Sequence, residues 1–123
     1  MTFPNHIKSK FITLHKRMIR RSKYNNKKTI INGITFDSKK EGDRYVFLTR
    51  REEIGEILNL HLQVPFNFVL DGKKMFVYKS DFVYYDTTIN KTIIEDVKGM
   101  RTPLYKLKKK LIEHQHQIKI TET

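Results

Sequence analysis

The 123-residue chain has no cysteine and no tryptophan, and only three prolines and five glycines. Without cysteine there is no disulfide, no thiolate metal site and no thiol nucleophile, a composition that fits a reducing compartment. No run of about 18 apolar residues occurs, so no membrane-spanning helix is expected, and the N-terminus lacks the compact apolar stretch of a secretory signal. Acidic residues are missing from one region in particular. Residues 1–28 hold nine basic side chains (Lys8, Lys10, Lys16, Arg17, Arg20, Arg21, Lys23, Lys27 and Lys28) and no Asp or Glu. The remainder holds sixteen basic residues against thirteen acidic ones, so nine of the twelve net positive charges sit in the first quarter of the chain.

This length suits one domain. The reading is a basic N-terminal arm over 1–28 and a folded domain over 29–123. A dense cationic segment beside a nearly balanced domain points to a polyanionic partner, nucleic acid above all, because every phosphate contact releases condensed counterions. Within the arm, Ile7, Phe11, Leu14 and Met18 recur at spacings of four, three and four with Lys and Arg between them, which predicts an amphipathic helix over roughly residues 7–21. Its apolar stripe can pack on the domain, pair with a second copy or accompany DNA contacts by Lys16, Arg17, Arg20 and Arg21. The same acid-free pattern also describes an organelle transit peptide.

Downstream, a short hairpin is legible around Asn32-Gly33. Ser38 followed three residues later by Glu41 spells a capping box and opens a helix, carried by Tyr45, Leu48 and Ile54 toward a cap at Gly55. Gly42 is a weak point within it. Alternation from Leu58 to Leu70, with a bulge or edge at Pro65, predicts a strand, and Asp71-Gly72 turns it into a second strand over Met75 to Asp86. A third strand spans Lys91 to Lys98. Thr102-Pro103 starts a helix with Leu104, Leu107 and Leu111 buried, and Gln117 to Ile120 reads as a last short strand. The fold class is therefore α+β: helix, three-stranded antiparallel meander, helix, short strand.

The acidic residues of this framework carry the chemistry. A four-residue loop at Thr87–Asn90 sets Asp86 opposite Lys91, and counting back along both strands sets Asp81 opposite Asp96. Facing carboxylates repel unless a cation lies between them. Lys98 shares the face of Asp96, so the group suits a hard divalent ion such as Mg²⁺. An exposed Asp81 beside an ordinary Asp96–Lys98 surface pair accounts for the same pattern. Glu41 has two readings, metal ligand or capping residue. Glu95 points away from Asp96 and reads as structural. Gln63 falls off the Asp81 face unless Pro65 resets the strand register. Lys39 and Lys40 on the first helix, and Lys106, Lys108, Lys109 and Lys110 on the second, are candidates for phosphate contact. His114 and His116 read as surface residues.

The order of these segments, FDSKKEGDRY, SDFVY, IIEDVKG and TPLYKLKKK, resembles the PD-(D/E)XK nuclease superfamily, in particular its small phage-encoded, Holliday-junction-resolvase-like branch. The likeness covers roughly residues 24–120 and leaves out the basic helix. Ser80 stands where that signature has proline, and Asp96 where glutamate is commoner. The resemblance implies a restriction-endonuclease-like core and a Mg²⁺-dependent DNA endonuclease, with Mn²⁺ as a substitute, acting on branched or junction DNA in phage replication or recombination in the bacterial cytoplasm. It implies Asp81, Asp96, the Val97 carbonyl and Glu41 as metal ligands, and Lys98 as the group that orients or deprotonates the attacking water. A homodimer would serve paired cuts. A nucleic-acid-binding module without catalysis, or a nuclease subunit of a larger assembly, is the alternative.

Overall fold

The structure, a computed structural model, describes residues 28–97 and 101–123. The expectations for the arm, including Lys16, Arg17, Arg20 and Arg21, and the role of Lys98 lie outside the described residues. The observed class is α+β.

A two-residue turn at Asn32-Gly33, both at positive φ, joins β1 (Thr29–Ile31) and β2 (Ile34–Phe36) into a small hairpin. Helix α1 (Lys39–Glu53) follows, with the Ser38 hydroxyl accepting from the Glu41 N–H at 3.1 Å. Gly42 has a packing reason rather than being a mere weakness. A Cβ there would stand 3.0 Å from Ile31 Cδ1 and 3.1 Å from Thr29 Cγ2, so its absence lets the hairpin lie against the helix. The C-cap is Ile54, which is exposed, and Gly55 follows at φ +83.

Strands β3 (Ile57–Leu70) and β4 (Lys73–Asp86) form a long antiparallel hairpin closed by Asp71-Gly72, again both at positive φ. Strand β5 (Lys91–Asp96) pairs with β4 in the expected register, Asp86 opposite Lys91 through Phe82 opposite Glu95. Thr102 caps helix α2 (Pro103–His116), its hydroxyl accepting from the Tyr105 N–H at 3.1 Å. The helix carries the chain back to β6 (Ile120–Glu122), which lies parallel to β5 as a helical crossover permits. The sheet order is β3-β4-β5-β6.

Several local expectations are corrected. Gln117 is not part of the last strand; it ends α2 in the left-handed region at φ 54. Leu104 and Leu107 are 59% and 54% exposed, and α2 instead buries Ile112, with Tyr105 partly covered. Pro65 pairs regularly with Lys79 on the edge strand, so it marks an edge and not a bulge. The bulges lie at Leu58/His61 and Phe68/Val69. The first breaks the expected alternation: His61 is fully buried with its Nδ1 2.7 Å from the Asn59 carbonyl, while Leu58 is exposed.

Two apolar clusters hold these elements. Phe36, Leu48, Leu60, Leu62, Phe82 and Tyr84 pack between α1, the small hairpin and the sheet. Val64, Tyr78, Val83, Ile94, Ile112 and Ile120 pack between the sheet and α2. Burying such side chains is worth roughly 1.5–3 kcal/mol each against exposure. Polar side chains are buried among these elements as well: Glu41, His61, Ser80, Asp86, Glu95 and Asp96.

Candidate functional site

Four elements deliver side chains to one polar cluster. The first turn of α1 brings Glu41, β3 brings Gln63, β4 brings Asp81 and β5 brings Asp96. Glu41 and Asp96 are buried and Asp81 is partly buried. Gln63 stands between two of the acids, its Nε2 3.4 Å from Glu41 Oε1 and 3.4 Å from Asp81 Oδ1. Both contacts are long for hydrogen bonds, so the amide holds the pair loosely. Glu41 therefore turns its carboxylate into this cluster while its own backbone N–H takes part in the cap.

Gln63 reaches Asp81 by a route other than the expected one. Pairing outward from Leu70 opposite Lys73 would set Gln63 beside the wrong neighbour, but the bulge at Phe68/Val69 shifts the register by one. From there Phe68 faces Phe76, Val64 faces Ser80 and Leu62 faces Phe82, which sets Gln63 opposite Asp81. Gln63 is also held at φ 54. A non-glycine residue in that region costs about 1–3 kcal/mol, a strain often found where a side chain is aimed at a function.

The electrostatics of Asp81 follow from its neighbours. Burial, the Glu41 carboxylate and the Asp96 carboxylate push its pKa well above the usual carboxylate range, and the Val97 N–H, donating to Asp81 Oδ2 at 2.7 Å, opposes them. The Tyr78 hydroxyl donates to Asp96 Oδ2. Burial first, then the Asp96 carboxylate, raise the Tyr78 phenol so far that it keeps its proton at any ordinary pH. Tyr105 is raised in the same way, by burial and then by Asp96. Among the described residues no group of three His, Cys, Asp or Glu side chains is in position to hold a metal ion.

Glu95 lies outside this group. Arg44 Nε and Nη2 grip Glu95 Oε1 and Oε2 at 2.8 and 2.7 Å, and the Tyr84 hydroxyl donates to Oε2. The Glu95 hydrogen bond, against the effect of burial, raises the pKa of Arg44. The candidate lysines are dispersed. Lys39 is exposed and paired with Asp43 at 3.3 Å, and Lys40, Lys106 and Lys110 are exposed. Lys108 lies over the Phe76 ring at 5.4 Å, and Lys109 pairs with Glu122 at 3.4 Å. His116 Nε2 sits 2.7 Å from the Asn67 carbonyl, tying the end of α2 to the hairpin.

Sequence reasoning missed Tyr78, the Val97 N–H and Tyr105. No spacing rule flags Tyr78, because its reach to Asp96 depends on how the sheet twists. The Val97 contact was within reach, since an aspartate placed opposite the end of a strand commonly caps the next free N–H.

The chain belongs to a protein family of unknown function, DUF1064, whose model matches residues 21–122. No curated protein and no solved structure matched it. Among the described residues no helix is long and apolar enough to cross a membrane.

Proposed function

We propose that the chain is a metal-dependent DNA endonuclease of the PD-(D/E)XK type, with a restriction-endonuclease-like core and a branched or junction substrate. The observation that carries this reading is the placing of Glu41 and Asp96 about Asp81, drawn from one helix and two strands, with Asp81 driven away from ionisation by burial first and then by the other two carboxylates. Such a conflict makes little sense in a pure phosphate binder, which gains nothing from carboxylates set against a polyanion. It is relieved by a cation.

The donor chemistry, carboxylate and carbonyl oxygen, is the kind Mg²⁺ takes while keeping several waters. Among the described residues three such carboxylates are not gathered closely enough to hold it, so this reading requires them to draw together around the ion. Glu41, Asp81, Asp96 and the Val97 carbonyl would hold it. When bound, the ion neutralises charge developing on the phosphodiester and lets water act as a nucleophile near neutral pH. Gln63 spaces Glu41 from Asp81, and the Tyr78 hydroxyl fixes the orientation of Asp96. Lys98, on the resemblance, orients or deprotonates the attacking water. The basic arm supplies affinity for the backbone.

The test is cleavage of labelled duplex, single-stranded, flap and four-way-junction DNA in Mg²⁺, in Mn²⁺ and in EDTA. Cutting that needs the ion, and is lost in Asp96→Ala while binding persists, is the expected result. Binding without cutting under every condition would favour a non-catalytic module.

A further inference from the structure

Tyr105 and Lys109 stand four apart on one face of α2, and Arg101 lies just ahead of the Thr102 cap. All three reach the same carboxylate. Arg101 Nη2 lies 3.0 Å and Lys109 Nζ 3.4 Å from Glu122 Oε1, and the Tyr105 hydroxyl donates to Glu122 Oε2 at 2.9 Å. Burial works against the charge on Glu122, yet Tyr105, Lys109 and Arg101 together hold its carboxyl below the ordinary glutamate value. It is therefore an anion at neutral pH, facing two cations.

This group adjoins the carboxyl cluster. Glu122 pairs with Asp96 across the parallel β5–β6 ladder, and the Thr123 N–H donates to the Asp96 carbonyl at 3.0 Å. Tyr105 also interacts with Asp96. An arginine, a lysine and a hydroxyl converging on one carboxylate are the donors that receive a backbone phosphate oxygen. Arg101 is 58% exposed, so an incoming anion reaches it without opening the fold, and an ion pair so exposed is weak enough to change partners.

We infer that Arg101, Tyr105 and Lys109 form a phosphate subsite beside the carboxyl cluster, and that Glu122 occupies it as an internal stand-in which a nucleic-acid phosphodiester displaces. The ligand class rests on the reading proposed above. The subsite itself rests on the convergence of the three donors. The remaining lysines of α2 do not share it: Lys108 covers Phe76, and Lys106 and Lys110 point into solvent.

The experiment measures binding of a fluorescently labelled short DNA duplex by anisotropy, with the full chain, in EDTA and across a salt series. Arg101→Met is expected to weaken binding by about threefold at the higher salt and to reduce the salt slope by about 0.9, the signature of one lost phosphate contact. Glu122→Gln is expected to tighten binding, and that gain disappears in the Arg101→Met/Lys109→Met background. Wild-type affinity and slope in Arg101→Met, or a Glu122→Gln gain that survives in the double background, overturns the inference. Should Glu122→Gln melt early, Arg101→Met still decides, because its side chain is mostly exposed. An RNA duplex that binds in place of DNA with the same variant pattern upholds the subsite and changes the polymer. The measurement is independent of cleavage: the variant pattern without Mg²⁺-dependent cutting would fail the endonuclease reading alone, and cutting with unaltered Arg101→Met binding would fail the subsite alone.

Discussion

Asp81 and Asp86 lie on the same strand and meet opposite surroundings. Asp86 accepts from the Thr88 hydroxyl and from the Thr88 N–H at 2.9 Å, and pairs with Arg51 at 3.1 Å. The Thr88 hydrogen bonds outweigh burial and, with Arg51, hold its carboxyl below the ordinary value. Asp81 is pushed the other way by burial and by two carboxylates. Asp86 is satisfied by its own chain and fastens α1 to the turn after β4. Asp81 accepts from the Val97 N–H and loosely from Gln63 while facing two carboxylates, and proteins tolerate such local conflict chiefly where a ligand resolves it.

The comparison can be broken most forcefully at the level of activity. Asp96→Ala and Asp81→Asn should each lower Mg²⁺-dependent cleavage about a hundredfold or more, since metal-ion stabilisation is worth several kcal/mol. Asp86→Asn should leave the chemical step alone. Undiminished cleavage by Asp96→Ala would remove the distinction between the two aspartates.

Stability sharpens it further. Arg44→Ala strands the buried Glu95 and should cost about 3 kcal/mol in urea unfolding, the usual penalty for breaking one side of a buried pair. Asp86→Asn should cost about 1 kcal/mol, through lost hydrogen bonds. Asp81→Asn should go the other way, stabilising the metal-free fold by about 1 kcal/mol or less, the typical worth of a cross-strand pair. Mg²⁺ should raise the melting temperature of the wild type and do much less for this variant. An Asp81→Asn protein that melts early and still gains fully from Mg²⁺ would make Asp81 another Asp86.

The smallest effect is in pH dependence, and its sign differs between the two residues. The folded pKa of Asp86 is lowered, so its stabilisation is present above the ordinary carboxyl value and is lost as pH falls through the lowered one. The folded pKa of Asp81 is raised, so its favourable contribution belongs to low pH and is lost as pH rises through the raised value. Unfolding followed from pH 3 to pH 7 should therefore steepen its rise in Asp81→Asn and flatten it in Asp86→Asn. The same slope in both variants would contradict the contrast.

How much of this was legible in the sequence depended on how local the cause was. The Ser38 and Thr102 caps, the Asp71-Gly72 turn and the β4–β5 register were all readable, because each is decided by a few consecutive residues. The packed face of α2 was not: leucines at helical spacing look like a core face, yet Tyr105 and Ile112 meet the sheet while Leu104 and Leu107 face outward. Which side of a helix docks is decided by what it docks on. Asp81 and Asp96 were found by counting across a short loop, whereas Gln63 needed the bulge at Phe68/Val69, just ahead of the Asp71-Gly72 turn, and nothing in the spacing announces that bulge.

That single offset at Phe68/Val69 acts as a phase setting for the long hairpin. Between the Asp71-Gly72 turn and Gln63 the two strands work like meshed racks, and moving one of them by a single tooth carries every side chain beyond to the opposite face. An insertion or deletion of one residue on either rack would leave the tip, the turn and the apolar content almost unchanged while taking Gln63 away from Asp81. Length changes that preserve the site must therefore be matched on both strands, so the far end of a solvent-facing hairpin is held to a parity rule by a half-buried glutamine nearer its base.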